Sequence, residues 1–187
     1  MKSIIKSILL FCVLAVSLTS CETYSDPKVE TSPIYPLSGE WRVRIRNLKA
    51  DTLVNKNALY TFGTFNTSDN VSNQMWVRTT SSIPTFITTG STPKTVLSKI
   101  TCDVPSLSFS TTGVVQNLNT TTAAVLDTIV ITEGKVTLNS VLMKSGVMSD
   151  RISFKLAKSK VAGGVTFLVE GYRRTRWAED ETILDFK

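Results

Sequence analysis

The chain contains no histidine. Histidine is the usual general base of nucleophilic catalysis and the commonest metal ligand, so its absence excludes a Ser-His-Asp triad and a histidine-bearing metal site. Ser98-Lys99 and Ser159-Lys160 are adjacent pairs, and neighbouring residues of a strand point to opposite faces and cannot act together as nucleophile and base. A glycine-rich phosphate loop and a CxxC motif are also missing. We therefore predict no catalytic residue, no metal ligand and no cofactor, although an enzyme that uses another device stays open.

Long hydrophobic runs are also missing, because the apolar stretch Ile8–Leu18 is shorter than the ~20 residues of a membrane-spanning helix. It follows a basic end and is typical of a signal peptide. It closes with Leu18-Thr19-Ser20-Cys21, which resembles the lipobox of bacterial lipoproteins. The resemblance implies that residues 1–20 are a removed signal peptide and that Cys21 carries the lipid. We expect an anchor in the outer membrane, on its periplasmic or cell-surface face; an ordinary secretory signal with an incidental cysteine is the alternative.

Cysteine is scarce, with three in the whole chain. Cys12 would leave with the signal peptide and Cys21 would be blocked by lipid, so the mature chain can form no internal disulfide framework. Cys102 shares one face of a predicted strand with Val96 and Ile100. We therefore expect it to be a small buried apolar residue and not a reactive thiol.

The remaining chain divides into a linker and one domain. Residues 21–36 are polar with three prolines, which predicts an extended linker, and residues 37–187 suffice for a single domain with its own core. The formal charge of +6 is modest, and without a clustered basic face we expect no nucleic-acid partner. The arginines 42, 44 and 46 and the acidic run 179–181 are predicted to be solvated.

From residue 37 onward, apolar residues recur with period two and no long segment has helical spacing, which predicts an all-β domain. Trp41, Val43 and Ile45 alternate with arginines as in a half-buried antiparallel strand. Glu133-Gly134 is expected to turn a hairpin. About nine or ten strands must pack as two sheets or close into a barrel. The further predicted strands are 58–65, 74–79, 85–88, 95–102, 106–110, 125–132, 135–143, 150–157 and 165–177.

Two motifs at the ends of the domain favour the barrel. Gly39-Glu40-Trp41 opens the first strand, and Gly171-Tyr172-Arg173-Arg174-Thr175 lies on the last. With Asp150-Arg-Ile-Ser-Phe and the lipobox, they resemble the Bacteroidetes lipoprotein family described as "lipid-binding putative hydrolase", a calycin-like group. The resemblance implies an antiparallel calycin/lipocalin-like β-barrel of about 8–10 strands.

Alternation along the last predicted strand selects the arginine that contacts Trp41. Arg173 shares a face with Val169 and Gly171 and points inward, whereas Arg174 points to solvent. The resemblance implies that the Arg173 guanidinium stacks over the Trp41 indole near Gly39 and closes one end of the barrel. The expected distance to the indole centroid is within about 6 Å.

The interior of such a barrel holds side chains or one small ligand. We predict that this protein binds a lipid or a small hydrophobic ligand. The alternative is a filled core in a structural or accessory subunit of an outer-membrane complex, with a protein partner. Asp51-Thr52-Leu53 also resembles Bacteroidetes O-glycosylation sites, which implies a glycan on Thr52. The candidate lining residues are Phe62, Phe65, Met75, Trp76, Phe86, Phe109 and Phe154.

Overall fold

The computed structural model describes residues 30–56, 58–79, 95–119, 121–158 and 165–181. The signal peptide, Cys21, the predicted strand 85–88 and Phe86 lie outside the described residues. The chain divides into two units, Met1–Thr31 and Ser32–Lys187, and the fold below is that of the second. No helix in the described part of the chain is both long enough and apolar enough to cross a membrane.

The second unit is built from antiparallel strands that follow one short 3-10 helix, Tyr35–Leu37. The strands are β1 (Gly39–Asn47), β2 (Thr52–Leu53), β3 (Tyr60–Asn66), β4 (Gln74–Thr79), β5 (Leu97–Asp103), β6 (Ser108–Ser110), β7 (Val115–Leu118), β8 (Val125–Leu142), β9 (Met148–Lys158) and β10 (Thr166–Arg173).

Eight strands close into a barrel in the order β1-β3-β4-β5-β6-β8-β9-β10, because β10 pairs back with β1. That closing ladder runs from Trp41 opposite Arg173 to Asn47 opposite Phe167. The short strands β2 and β7 add to β1 and β8. The predicted all-β calycin-like barrel is therefore confirmed.

Alternation decides which side chains enter the core. On β1, Trp41, Val43 and Ile45 are buried inside the barrel, and the intervening arginines face outward. These arginines are half-buried and not fully solvated as predicted. Two of them pair with acidic groups: Arg42 with Glu181 at 3.5 Å and Arg46 with Asp51 at 2.9 Å.

Cys102 on β5 is buried as predicted. Burial, together with the neighbouring Asp103 carboxylate, raises the pKa of this thiol to about 11. The Cys102 side chain is therefore a protonated core group at neutral pH.

Glu133 and Gly134 do not form the predicted hairpin. They lie within the single strand β8, whose pairing with β9 shifts register between Thr132 and Lys135. Glu133, not the glycine, has a positive φ of 54°. The prediction was wrong because Gly134 is required for close contact with a neighbouring strand and not for a turn. A Cβ on Gly134 would lie 2.3 Å from the carbonyl oxygen of Phe109. The pair therefore forms a bulge that bends one long strand.

The two ends of the folded unit also differ from the predicted limits. Ile34 is fully buried in the core, so packing begins before residue 37. The last strand ends at Arg173 and not at Trp177, because the chain leaves the sheet and Arg176 takes a positive φ of 68°. Trp177, expected on the inner face, is exposed.

We predict that Gly171→Ala strongly destabilises the barrel. A Cβ at this position would lie 2.0 Å from the Arg42 carbonyl oxygen and 2.7 Å from the Val43 Cα. Because backbone atoms cannot rotate away, the free energy of unfolding should fall by about 1–3 kcal/mol or more. Gly63→Ala is the matched control, since its nearest neighbour, the Arg78 carbonyl oxygen, is 3.9 Å away. Urea denaturation followed by circular dichroism should separate the two variants, and equal losses would contradict the prediction.

Candidate functional site

One end of the barrel is closed by the Trp41 side chain, and we call it the closed end. The indole is fully buried, and its Nε1 donates a hydrogen bond to the Thr64 hydroxyl at 2.8 Å. That hydroxyl in turn donates to the Leu37 carbonyl at 2.6 Å. The short helix before β1 is thereby held against the barrel, with Leu37 buried in the core.

Arg173 completes the closed end. Its guanidinium carbon lies 4.9 Å from the centroid of the Trp41 ring, and its Nη2 donates to the Pro36 carbonyl at 2.8 Å. Its Nε lies 3.0 Å from an Asp150 carboxylate oxygen. A Cβ on Gly39 would lie 3.4 Å from Cγ and Nε of Arg173, so the glycine leaves room for this side chain. The structure thus brings together all three residues predicted to close the barrel.

Four of the predicted lining residues, Phe62, Met75, Phe109 and Phe154, lie in the interior core. Phe154 contacts both other rings edge-on, with centroid distances of 5.5 Å to Phe62 and 5.5 Å to Phe109. The three rings form a continuous aromatic layer inside the barrel. At the level of this layer, side chains fill the space between the strands.

Phe65 and Trp76 do not line the interior, and the prediction for these two was wrong. Phe65 lies three positions after Phe62, and Trp76 follows Met75, so strand alternation places both on the outer face. They are cross-strand neighbours there. The Arg78 guanidinium carbon lies 5.3 Å from the Phe65 centroid, and the Lys99 Nζ lies 5.8 Å from the Trp76 centroid.

Tyr60 is an interior residue that was missing from the predicted lining. Its side chain belongs to the main core and is 7% exposed, and its hydroxyl has no hydrogen-bond partner in the structure as described. Burial raises the pKa of this phenol. The alternation of Tyr60 with Phe62 was the signal that could have identified it. A buried hydroxyl without a hydrogen-bond partner lowers the stability of the fold, so a ligand that supplies this partner gains binding free energy.

Residues 177–181 form a turn that packs outside the barrel, and Asp180 within it is 1% exposed. The prediction of a solvated acidic run was therefore wrong for Asp180. Its carboxylate accepts bonds from Ser145 at 2.7 Å and from Thr175 at 2.6 Å. Burial alone would raise the pKa of Asp180, but these hydrogen bonds outweigh it and hold the pKa below its ordinary value. This turn covers the buried ring of Tyr172, whose hydroxyl donates to the Asp180 carbonyl.

Arg174 points outward as predicted, but it is not free in solvent. Its guanidinium pairs with Glu40 at 3.0 Å and with Glu181. Both acids keep the pKa of Arg174 raised, the Glu181 hydrogen bond having the largest effect. Arg174 therefore joins β1 to the turn after β10.

Thr52 lies on the short strand β2, paired with Asn47 of β1, and is exposed. Its side chain is accessible to a modifying enzyme, and the glycan itself stays a prediction.

We predict that Trp41→Ala lowers the free energy of unfolding by about 3–5 kcal/mol, because a fully buried ring and its hydrogen bond are lost. Trp76→Ala, on the outer face, is the control and should cost about 1 kcal/mol. The free energies should be measured by urea denaturation monitored by circular dichroism, because removal of a tryptophan changes the fluorescence of each variant. A similar loss of unfolding free energy in both variants would show that Trp41 does not stabilise the closed end specifically.

No group of three potential ligands among histidine, cysteine, aspartate and glutamate is close enough to hold a metal within the described part of the chain.

The family comparison agrees with the geometry of the barrel. A search of curated proteins finds no match. The sequence model of the lipid-binding putative hydrolase family matches residues 26–178. As the motifs at residues 39–41 and 171–175 predicted, the chain belongs to this family.

Proposed function

We propose that this protein is a lipid-anchored lipoprotein of the outer membrane whose barrel binds a lipid or another small hydrophobic ligand. The observation that carries the proposal is the closed barrel with an apolar interior, sealed at one end by Trp41. The family description supports the same class of ligand. Cys21, the proposed lipid attachment site, lies outside the described residues, so the anchor rests on the sequence motif.

The ligand would occupy the half of the interior that lies away from the closed end. The closed end is filled by Trp41, and the aromatic layer packs beside it, since Phe62 is the cross-strand partner of Trp41. Beyond this layer most inward residues are apolar. Thr79 and Ser98 are also buried there, but both are hydrogen-bonded, whereas the Tyr60 hydroxyl has no partner among the described residues. We infer that this hydroxyl binds the polar head of the ligand while the apolar part lies among Ile45, Ile129, Leu156 and Phe167.

Hydrolysis is not included in the proposal, although the family description names a hydrolase. The chain has no histidine to serve as a general base. Ser98 is buried inside the barrel, and the neighbouring Lys99 lies on the outer face over Trp76. The two side chains therefore cannot act as nucleophile and base.

A second candidate is a structural or accessory subunit of an outer-membrane complex that holds no ligand. The aromatic layer favours it, because Phe62, Phe109 and Phe154 already fill the interior at their level. Native mass spectrometry of protein extracted gently from its own membranes separates the two. A bound lipid supports the first candidate, and recovery with one stoichiometric protein and no lipid supports the second.

We predict that Tyr60→Phe weakens binding of a fluorescent fatty acid by about three- to tenfold, the size of one lost hydrogen bond. The same variant should equal or exceed the wild type in ligand-free stability, because an unpartnered buried hydroxyl is removed. Tyr35→Phe, at an exposed position, is the control and should change neither property. Fluorescence titration and thermal denaturation measure the two effects. Unchanged affinity in Tyr60→Phe would remove this residue from the site.

We predict that Cys21→Ala abolishes anchoring, because acylation needs the thiol. The wild type should enter the detergent phase when a detergent extract is warmed to separation, and the variant should stay aqueous or keep its signal peptide. Cys102→Ala is the control and should partition like the wild type, since its thiol is buried in the core. A wild-type protein found in the aqueous phase would overturn the proposed anchor.

A further inference from the structure

The chain enters the folded unit at the closed end. The short helix Tyr35–Leu37 leads directly into β1, and its carbonyl groups bind Thr64 and Arg173 at this end. Ser32 follows Cys21 by eleven residues, which span at most about 40 Å when fully extended. If Cys21 is acylated, as proposed above, this segment keeps the closed end within about 40 Å of the membrane surface.

Four apolar side chains are exposed at this same end: Leu142 (70%), Val147, Met148 and Trp177 (56%). Leu142 and Met148 are cross-strand partners on the last rung of the β8–β9 hairpin. Val147, Met148 and Trp177 line the apolar side of one pocket of about 270 Å³, whose other lining residues, Arg173 of the closed end among them, are polar or charged. The four residues therefore form one surface, which we call the apolar end patch.

Contacts beneath the patch hold it in place. Asp180 binds both the backbone N–H and the hydroxyl of Ser145 in the hairpin turn, and its carboxylate also binds Thr175. The hairpin that carries Leu142 and the segment that carries Trp177 are thereby joined. Such a preorganised surface loses little conformational freedom when it is covered.

Most charged side chains around the patch are paired. Arg173 pairs with Asp150, Glu40 pairs with both Arg174 and Arg176, and Arg174 also pairs with Glu181. Lys144 in the hairpin turn is an exposed cation beside the patch. Association would therefore depend mainly on burial of apolar groups, with a small added attraction of Lys144 to anionic lipid. An exposed tryptophan beside aliphatic residues is typical of the boundary between lipid headgroups and acyl chains.

We propose that the apolar end patch contacts the membrane surface to which Cys21 anchors the chain, so that the closed end of the barrel rests on lipid. This inference depends on the proposed anchor. It orients the molecule, because the half of the interior that contains Tyr60 then points away from that membrane. The ligand would be exchanged with the aqueous side and not drawn directly from the lipid below.

The test uses the full acylated chain in phosphatidylcholine vesicles whose acyl chains carry bromine, which quenches tryptophan on contact. The chain has three tryptophans, and Trp41 is fully buried. In a Trp76→Phe background, the further change Trp177→Phe isolates the contribution of Trp177. We expect brominated lipid to reduce that contribution about twofold or more.

Two matched substitutions test whether the patch is responsible. Leu142→Glu should abolish the quenching of Trp177, and Val125→Glu should leave it unchanged. Both residues are exposed and lie at the two ends of β8, so neither change disturbs the core.

The outcomes separate this inference from the proposed function. If the vesicles float and the protein does not float with them, the proposed anchor is wrong, and so is this inference. Protein that floats while Trp177 is unaffected by brominated lipid and accessible to aqueous iodide would overturn the docking alone. Quenching that persists in Leu142→Glu would also overturn it.

Discussion

The pairing of β1 with β10 is the constraint on which the rest of the structure depends. Antiparallel strands that curve into a single layer leave two unpaired edges unless the first strand meets the last. Here the edges can approach because Gly171 has no side chain where the Arg42 carbonyl lies. Once they meet, Trp41 and Arg173 come into contact and seal one end. A contact between residues at the two ends of the domain thus stabilises the whole barrel.

Several small interactions, and not a single side chain, hold the closed end together. The indole N–H donates to the Thr64 hydroxyl, and this hydroxyl and the Arg173 guanidinium both bind carbonyl groups of the short helix before β1. The Asp180 carboxylate binds the β8–β9 turn. Each bond is worth about a kilocalorie per mole, but together they remove the freedom of both segments at once. The result is a rigid end at which the apolar end patch is displayed and the N-terminal segment enters.

The opposite half of the interior has a different character. It is largely apolar, its buried Thr79 and Ser98 are hydrogen-bonded, and its buried Tyr60 hydroxyl has no partner among the described residues. A stable fold ordinarily satisfies its buried polar groups, and an unsatisfied one is a candidate for function. The proposed placement, with the sealed end on the membrane and the Tyr60 half directed away from it, fits a carrier or presenter of a hydrophobic molecule.

The sequence by itself determined the all-β class, the family and the pair Trp41 and Arg173, because side chains alternate with period two and short motifs mark the first and last strands. The same rule, applied strictly, would also have separated Phe62 from Phe65 and Met75 from Trp76. Only the tertiary structure decided the bulge at Gly134, the burial of Asp180 and the end of β10. Each depends on a partner distant in sequence: Phe109 packs against the glycine, and the Ser145 turn binds the aspartate. Alternation along a strand indicates which face of the sheet a residue lies on. The residues that it contacts from other strands are decided only when the barrel closes.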